Sequence, residues 1–155
     1  MMIRRAREED VEVLQMLLER NMKEIMVQAH SAEVLSRYLS HNTTESWRGQ
    51  LQWKKVYVAE DESGIVGTGA FANFGTEDTP RHSISNLYVL PERHGKGIGT
   101  ILFRALLANA VEVSAKSFHV PSSRNAVSFY QKLGFTVDAE QADTADEITW
   151  MTLLL

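Results

Sequence analysis

Three glycines alternate with larger residues in the short run His94-Gly95-Lys96-Gly97-Ile98-Gly99. The run stands between a strand-like triplet, Leu87-Tyr88-Val89, and an amphipathic helix predicted to begin near Ile98. A strand must therefore pass to a helix through a loop whose backbone is open to approach. Glycine has no side chain to hold a ligand off, and a helix start leaves several N–H groups without partners inside the helix. A pyrophosphate suits such a donor cluster. Two familiar nucleotide loops are excluded. A Walker loop needs Gly-Lys-Ser/Thr, and Lys96 is followed by Gly97, which removes a phosphate-loop nucleotide hydrolase. A dinucleotide fingerprint starting at Gly97 needs glycine at position 102, where the chain has Leu102.

Hydrophobic periodicity places the other elements. Residues 2–5 read as a strand, followed by a helix with Val11, Leu14, Leu18 and Met22 on one side. A second helix spans Ala32–Leu39, and His41-Asn42-Thr43-Thr44 ends it, with a loop to follow. Val56–Glu60 and Ile65–Phe74 form a hairpin around Asp61-Glu62-Ser63-Gly64, with the glycine supplying a positive φ. Ser83–Val89 pairs next. On the helix that opens with the glycine loop, Ile98, Ile101, Leu102, Ala105 and Leu106 make an apolar stripe. Phe118–Val120 is a short strand. Ala126, Phe129, Tyr130 and Leu133 make a further helical face, which Gly134 ends. The last two strands, Thr136–Ala139 and Ile148–Leu154, flank the acidic turn Glu140–Glu147. Periodicity alone supports a mixed α and β domain.

At 155 residues the chain suits a single domain spanning 1–155, which buries about 70% of its unfolded surface. Hydrophobic residues make up 44% and charged residues 23%, an ordinary globular balance, and no apolar run reaches a membrane-spanning length. The start, Met1-Met2-Ile3-Arg4-Arg5, lacks the apolar stretch of a signal peptide, so a cytoplasmic location is expected. No cysteine is present, which excludes disulfides, thiolate metal sites and a cysteine acyl-enzyme. The five histidines show no metal-ligand spacing, and no metal is expected. A net charge of −4 argues against a nucleic-acid binder.

The segment Leu87-Tyr88-Val89-Leu90-Pro91-Glu92-Arg93, with the glycine loop after it, resembles the acetyl-CoA-binding signature of the GNAT superfamily of N-acyltransferases, Gln/Arg-x-x-Gly-x-Gly/Ala. His94 stands in the Gln/Arg slot. Downstream, Asn125-Ala126-Val127-Ser128-Phe129-Tyr130-Gln131-Lys132-Leu133-Gly134-Phe135 is similar to the family's Asn-x-x-Ala/Ser-x-x-Phe-Tyr-x-x-x-Gly-Phe segment. The likeness extends more faintly from Ile3-Arg4-Arg5-Ala6 to the final strand. It implies an α+β fold with a central, mostly antiparallel twisted sheet of about seven strands and about four helices, in the order βααβββαβαββ.

The resemblance also implies roles. Acetyl-CoA is the co-substrate. Leu87, Tyr88 and Val89 supply main-chain hydrogen bonds to the pantetheine arm and the thioester oxygen, and the backbone from Gly95 through Lys96, Gly97, Ile98 and Gly99 to Thr100 holds the pyrophosphate. Lys96 adds a charge contact, and Asn125 contacts CoA. Tyr130 matches the motif tyrosine whose hydroxyl reaches the sulfur, which makes it the candidate general acid. Some members carry a glutamate base two or four positions ahead of the residue matching Leu87, where this chain has Ser85 and Ser83. Neither serine acts as a base unaided, so the candidates are His82, His119 and Glu60, with His119 first because a pKa near 6.5 suits proton removal.

Acceptor selection in this family falls to the first two helices and the last two strands. Met22, Met26, His30, Tyr38 and Trp47 lie there and read as core rather than pocket lining. The expected activity is direct transfer of acetyl from acetyl-CoA to a primary amine, a small molecule or peptide, in a ternary complex. The alternative is a non-catalytic acyl-CoA-binding sensor, which the serines at 83 and 85 favour. The final Leu153-Leu154-Leu155 either packs against a second subunit, giving a homodimer, or completes the sheet.

Overall fold

The computed structural model describes residues Met1–Leu155. β1 (Met2–Arg5) leads into three helices, α1 (Val11–Glu24), α2 (Ala32–His41) and α3 (Thr44–Trp53). The strands β2 (Lys55–Asp61), β3 (Gly64–Asn73) and β4 (His82–Val89) follow, then α4 (Ile98–Glu112), β5 (Ser117–Ser123), α5 (Val127–Lys132), β6 (Thr136–Val137) and β7 (Ile148–Leu154). The seven strands lie in one sheet in the order β1-β2-β3-β4-β5-β7-β6. Every neighbouring pair is antiparallel except β4 with β5. The expected mixed α and β architecture is therefore present, with five helices. No helix is long and apolar enough to cross a membrane.

The extra helix is α3, where the sequence suggested a loop. Thr43 caps it by accepting from the Ser46 N–H at 3.2 Å, and Trp47 anchors it, fully buried beside Val11, Leu14 and Val56. Its apolar signal is thin because another inward position is the polar Gln50, 9% exposed. The penultimate strand is also shorter than expected: it ends at Val137, and Ala139–Gln141 form a 3-10 turn. β5 instead runs on to Ser123, paired residue by residue with β7. β7 lies between β5 and β6 in the sheet, and the last two leucines, Leu154 and Leu155, are exposed.

Alternation along β2 explains the layering. Val56 and Val58 face α1 and Trp47, whereas Tyr57 and Ala59, on the other face of the strand, pack toward Ile98 and Leu102 of α4. α4 approaches closely because β3 offers glycines beneath it: a Cβ on Gly69 would lie 3.0 Å from Leu87 and 3.2 Å from Leu106. Leu102 and Leu106 are fully buried there, and each burial contributes about 2 kcal/mol.

Two irregularities shape the middle of the sheet. β4 and β5 share one pairing position, Ser83 with His119, and separate toward Val89. In β4, Asn86 and Leu87 stand opposite the single residue Gly69, a bulge in which Asn86 takes a φ of +52°.

Candidate functional site

Two cavities occupy the gap between β4 and β5. The first, about 440 Å³, lies against the glycine loop. Gly95 and Gly97 have φ of +75° and +83°, conformations in which other residues are strained. Gly97 caps α4 without a side-chain bond, and the first satisfied donor in the helix is Ile101, which donates to the Gly97 carbonyl at 3.0 Å. The N–H groups of the preceding turn have no partner within the helix, which fits an anion. Gly95, Gly97, Ile98, Gly99, Thr100 and Asn125 line this cavity. Lys96 is exposed beside it and is not among the lining residues.

His94 bonds its own loop: Nε2 meets the Val89 carbonyl at 2.9 Å. The same oxygen accepts from Asn21 Nδ2 at 2.9 Å, and that amide also reaches the Leu17 carbonyl at 2.9 Å. The Val89 carbonyl is thus engaged by the protein itself. Nothing in the sequence marked Asn21 beyond being a polar residue on the buried face of α1, next to Leu17, Leu18 and Met22.

The second cavity, about 340 Å³, lies on the other side of the bulge. Leu87, Tyr88 and Tyr130 line both cavities and form the junction between them. Tyr130 stands on α5, with Phe129 and Phe135 edge-on at 5.1 and 5.6 Å. Burial pushes its hydroxyl pKa well above the ordinary tyrosine value, with a further rise from Tyr88. At neutral pH the hydroxyl is protonated. Tyr88 is shifted upward by burial in the same way.

Of the residues expected only as core, Met26 lines both cavities and Tyr38 the second, while Trp47 is core as expected. The Tyr38 hydroxyl donates to the Asp146 carbonyl at 2.9 Å, and burial pushes its pKa up to about 12. Glu147 accepts from the Ser31 N–H at 2.9 Å and contacts His30 Nδ1 at 3.1 Å. The Ser31 N–H, first, and His30 hold the Glu147 carboxyl below its usual range. These bonds fasten the β6–β7 turn to the start of α2 and build one wall of the second cavity.

None of the three expected bases reaches either cavity. His119 lies on β5 between Phe118 and Val120, which face the core under α4, so its ring points to the opposite side of the sheet. There it bonds Thr152 Oγ1 at 3.1 Å and Ser117 Oγ at 3.0 Å, with its pKa lowered by burial and then by Arg81. His82 stacks on Phe71 at 5.5 Å, and Glu60 bonds Arg4 at the β1–β2 edge. Ser83 is fully buried and donates to the Arg81 carbonyl.

Ser85 does line the second cavity, and there it meets a residue the sequence did not single out. Lys54 Nζ donates to Ser85 Oγ at 2.9 Å, Gln50 Oε1 at 2.8 Å and Asn86 Oδ1 at 3.1 Å. The residue is 7% exposed, and burial pulls its pKa down to about 8.

A family model described as an acetyltransferase (GNAT) domain matches residues 12–154. The L-amino acid N-acyltransferase MnaT of Escherichia coli (strain K12) is 29% identical over 106 residues, 63% of this chain and 60% of the relative, so the match spans less than two thirds of that relative's length. Among solved structures, the PaiA N-acetyltransferase from Thermoplasma acidophilum, in complex with coenzyme A, superposes with a TM-score of 0.83 at 21% identity, over 99% of this chain and 98% of that one. A ribosomal-protein-alanine N-acetyltransferase from Brucella melitensis gives a TM-score of 0.69 at 22% identity over 100% of both chains. At these identities the superpositions show a shared fold.

Proposed function

Because the chain belongs to the GNAT acetyltransferase family, we propose that residues 1–155 form one domain that transfers the acetyl group of acetyl-CoA directly to a primary amine, with both substrates held at once. One observation carries the proposal: a cavity that ends at unpartnered helix-start donors joins a second, differently lined cavity at Leu87, Tyr88 and Tyr130. The activities named for the two relatives above, on L-amino acids and on a ribosomal-protein alanine, are both N-acylations, which supports an amine acceptor.

Bound acetyl-CoA supplies an activated thioester. The backbone from Gly95 to Thr100 binds its pyrophosphate, and Asn125 contacts it at the rim. The main chain at the bulge, Leu87 above all, is freed from the β3 ladder and donates to the thioester carbonyl oxygen, where negative charge develops. Tyr130, kept protonated by burial, gives its proton to the departing thiolate. An alkylammonium costs about 4 kcal/mol to reach its neutral form at pH 7. No Asp or Glu lines the second cavity, whose one imidazole is the exposed His41, so that proton leaves to His41 or to solvent. The chain has no cysteine, which favours direct attack over a thiol-linked intermediate.

The same lack of a carboxylate favours a second reading, an acyl-CoA-binding sensor. Thermal unfolding with and without acetyl-CoA, followed by CoA release in the presence of an amine panel, separates the two. Ligand at 100 times its dissociation constant adds about 2.7 kcal/mol of stability. A shift with turnover supports the transferase, a shift without turnover supports the sensor, and no shift at millimolar acetyl-CoA overturns both.

A further inference from the structure

Lys54 is a buried cation without an anion. Its three N–H bonds are spent on neutral oxygens, those of Gln50, Ser85 and Asn86, and no carboxylate lies within ion-pair distance. Its ammonium also lies against the Trp53 and Phe74 rings, 4.9 and 5.3 Å from their centroids. The cavity beside it contains no Asp, Glu or Arg. A buried charge is costly unless it is paired, and a hydrophobic residue of similar volume removes that cost. A cavity built for a polycationic amine would present acids; this one presents a cation.

Resting on the transferase reading above, we infer that the acceptor is an amine carrying a carboxylate, the chemistry of a free amino acid, and that this carboxylate pairs with the Lys54 ammonium. The amide oxygens of Gln50 and Asn86 point at Nζ while Gln50 Nε2 and Asn86 Nδ2 donate to Asn42 Oδ1, both at 3.2 Å. The amides thus stand in for the anion, and an entering carboxylate takes the place of one of them. The acceptor's amine is then held at the Tyr88–Tyr130 junction.

The test compares kcat/KM for three acceptors of one side chain, an amino acid, its α-amide and the corresponding decarboxylated amine, in the wild type, Lys54→Met and Lys54→Arg. The wild type should prefer the amino acid by about tenfold or more, the scale of one hydrogen-bonded charge pair. That preference should vanish in Lys54→Met and survive in part in Lys54→Arg. A wild type that prefers the decarboxylated amine overturns the inference, and this arm needs no variant to fold. An equal loss for all three acceptors in a Lys54→Met protein that still shows the acetyl-CoA thermal shift overturns it too, because Lys54 would then only pin the bulge. No turnover of any amine overturns the transferase reading and this inference with it, whereas turnover in the wrong order overturns this inference alone.

Discussion

Asn21 of α1 holds the end of β4 through the Val89 carbonyl at 2.9 Å, sharing that oxygen with His94 of the glycine loop. One carbonyl therefore joins a helix from one face of the sheet, a strand and the loop that opens α4. Asn21→Ala should cost about 1 to 2 kcal/mol, since it removes buried hydrogen bonds and leaves an acceptor half satisfied. It should also weaken acetyl-CoA binding more than it slows turnover at saturation. Urea unfolding and a thermal-shift titration measure the two effects; a variant as stable as the wild type would show that the bond holds nothing.

Tyr130→Phe keeps the edge-on packing with Phe129 and Phe135 and removes only the hydroxyl. Turnover should fall on the order of a hundredfold, as for loss of a general acid. Acetyl-CoA affinity should stay close to the wild-type value. Steady-state CoA release with saturating cofactor reads the change, and undiminished turnover would remove Tyr130 from the chemistry.

Two glycine-to-alanine changes should have opposite signs. Gly97 caps α4 at a φ of +83°, so Gly97→Ala introduces strain on the order of 1 kcal/mol and disturbs the donors of the loop. Gly49 lies within α3 with nothing within 4 Å of an added Cβ, so Gly49→Ala should stabilise by about 0.5 to 1 kcal/mol. Chemical denaturation compares the pair, and only Gly97→Ala should lose acetyl-CoA affinity.

Lys54 gives a pH dependence with a definite sign. Burial lowers its pKa to about 8 from 10.5, so between those values the unfolded chain holds a proton that the folded chain has lost. Stability from this group therefore rises with pH over that window. The wild type should gain on Lys54→Met as pH is raised from about 8 to about 10.5, read as the difference between their urea unfolding free energies. A constant difference would mean that the ammonium is not desolvated in the folded protein.

The sequence was legible where one local signal sufficed. The glycine loop and the Gly64 turn each depend on residues close together in the chain and lie where expected; in the α4 stripe Ile98, Leu102 and Leu106 are buried, whereas Ile101 is exposed and Phe103 takes the inward place. α3 was hidden because its inward face pairs Trp47 with a polar Gln50, which is buried through its bonds to Asn42 and Lys54, and Lys54 in turn is held by the bulge of β4, some thirty residues on. His119 was drawn to the cleft by strand membership alone; which side of β5 it occupies is set by Phe118 and Val120 packing under α4. Lys54 and Asn21 become notable only when β4 is brought against α3 and α1, and their spacing in the chain from Ser85, Asn86 and Val89 carries no periodicity.

The single rung between Ser83 and His119 divides the sheet into two panels, four strands and three. Only one ladder position crosses this boundary, so the panels are joined there by side chains, Phe71 and Ile84 of one packing with Phe118 and Val120 of the other. Both cavities lie in the split between the panels, and Leu87, Tyr88 and Tyr130 belong to the walls of each. A guest in either cavity therefore lies against side chains that also shape the other.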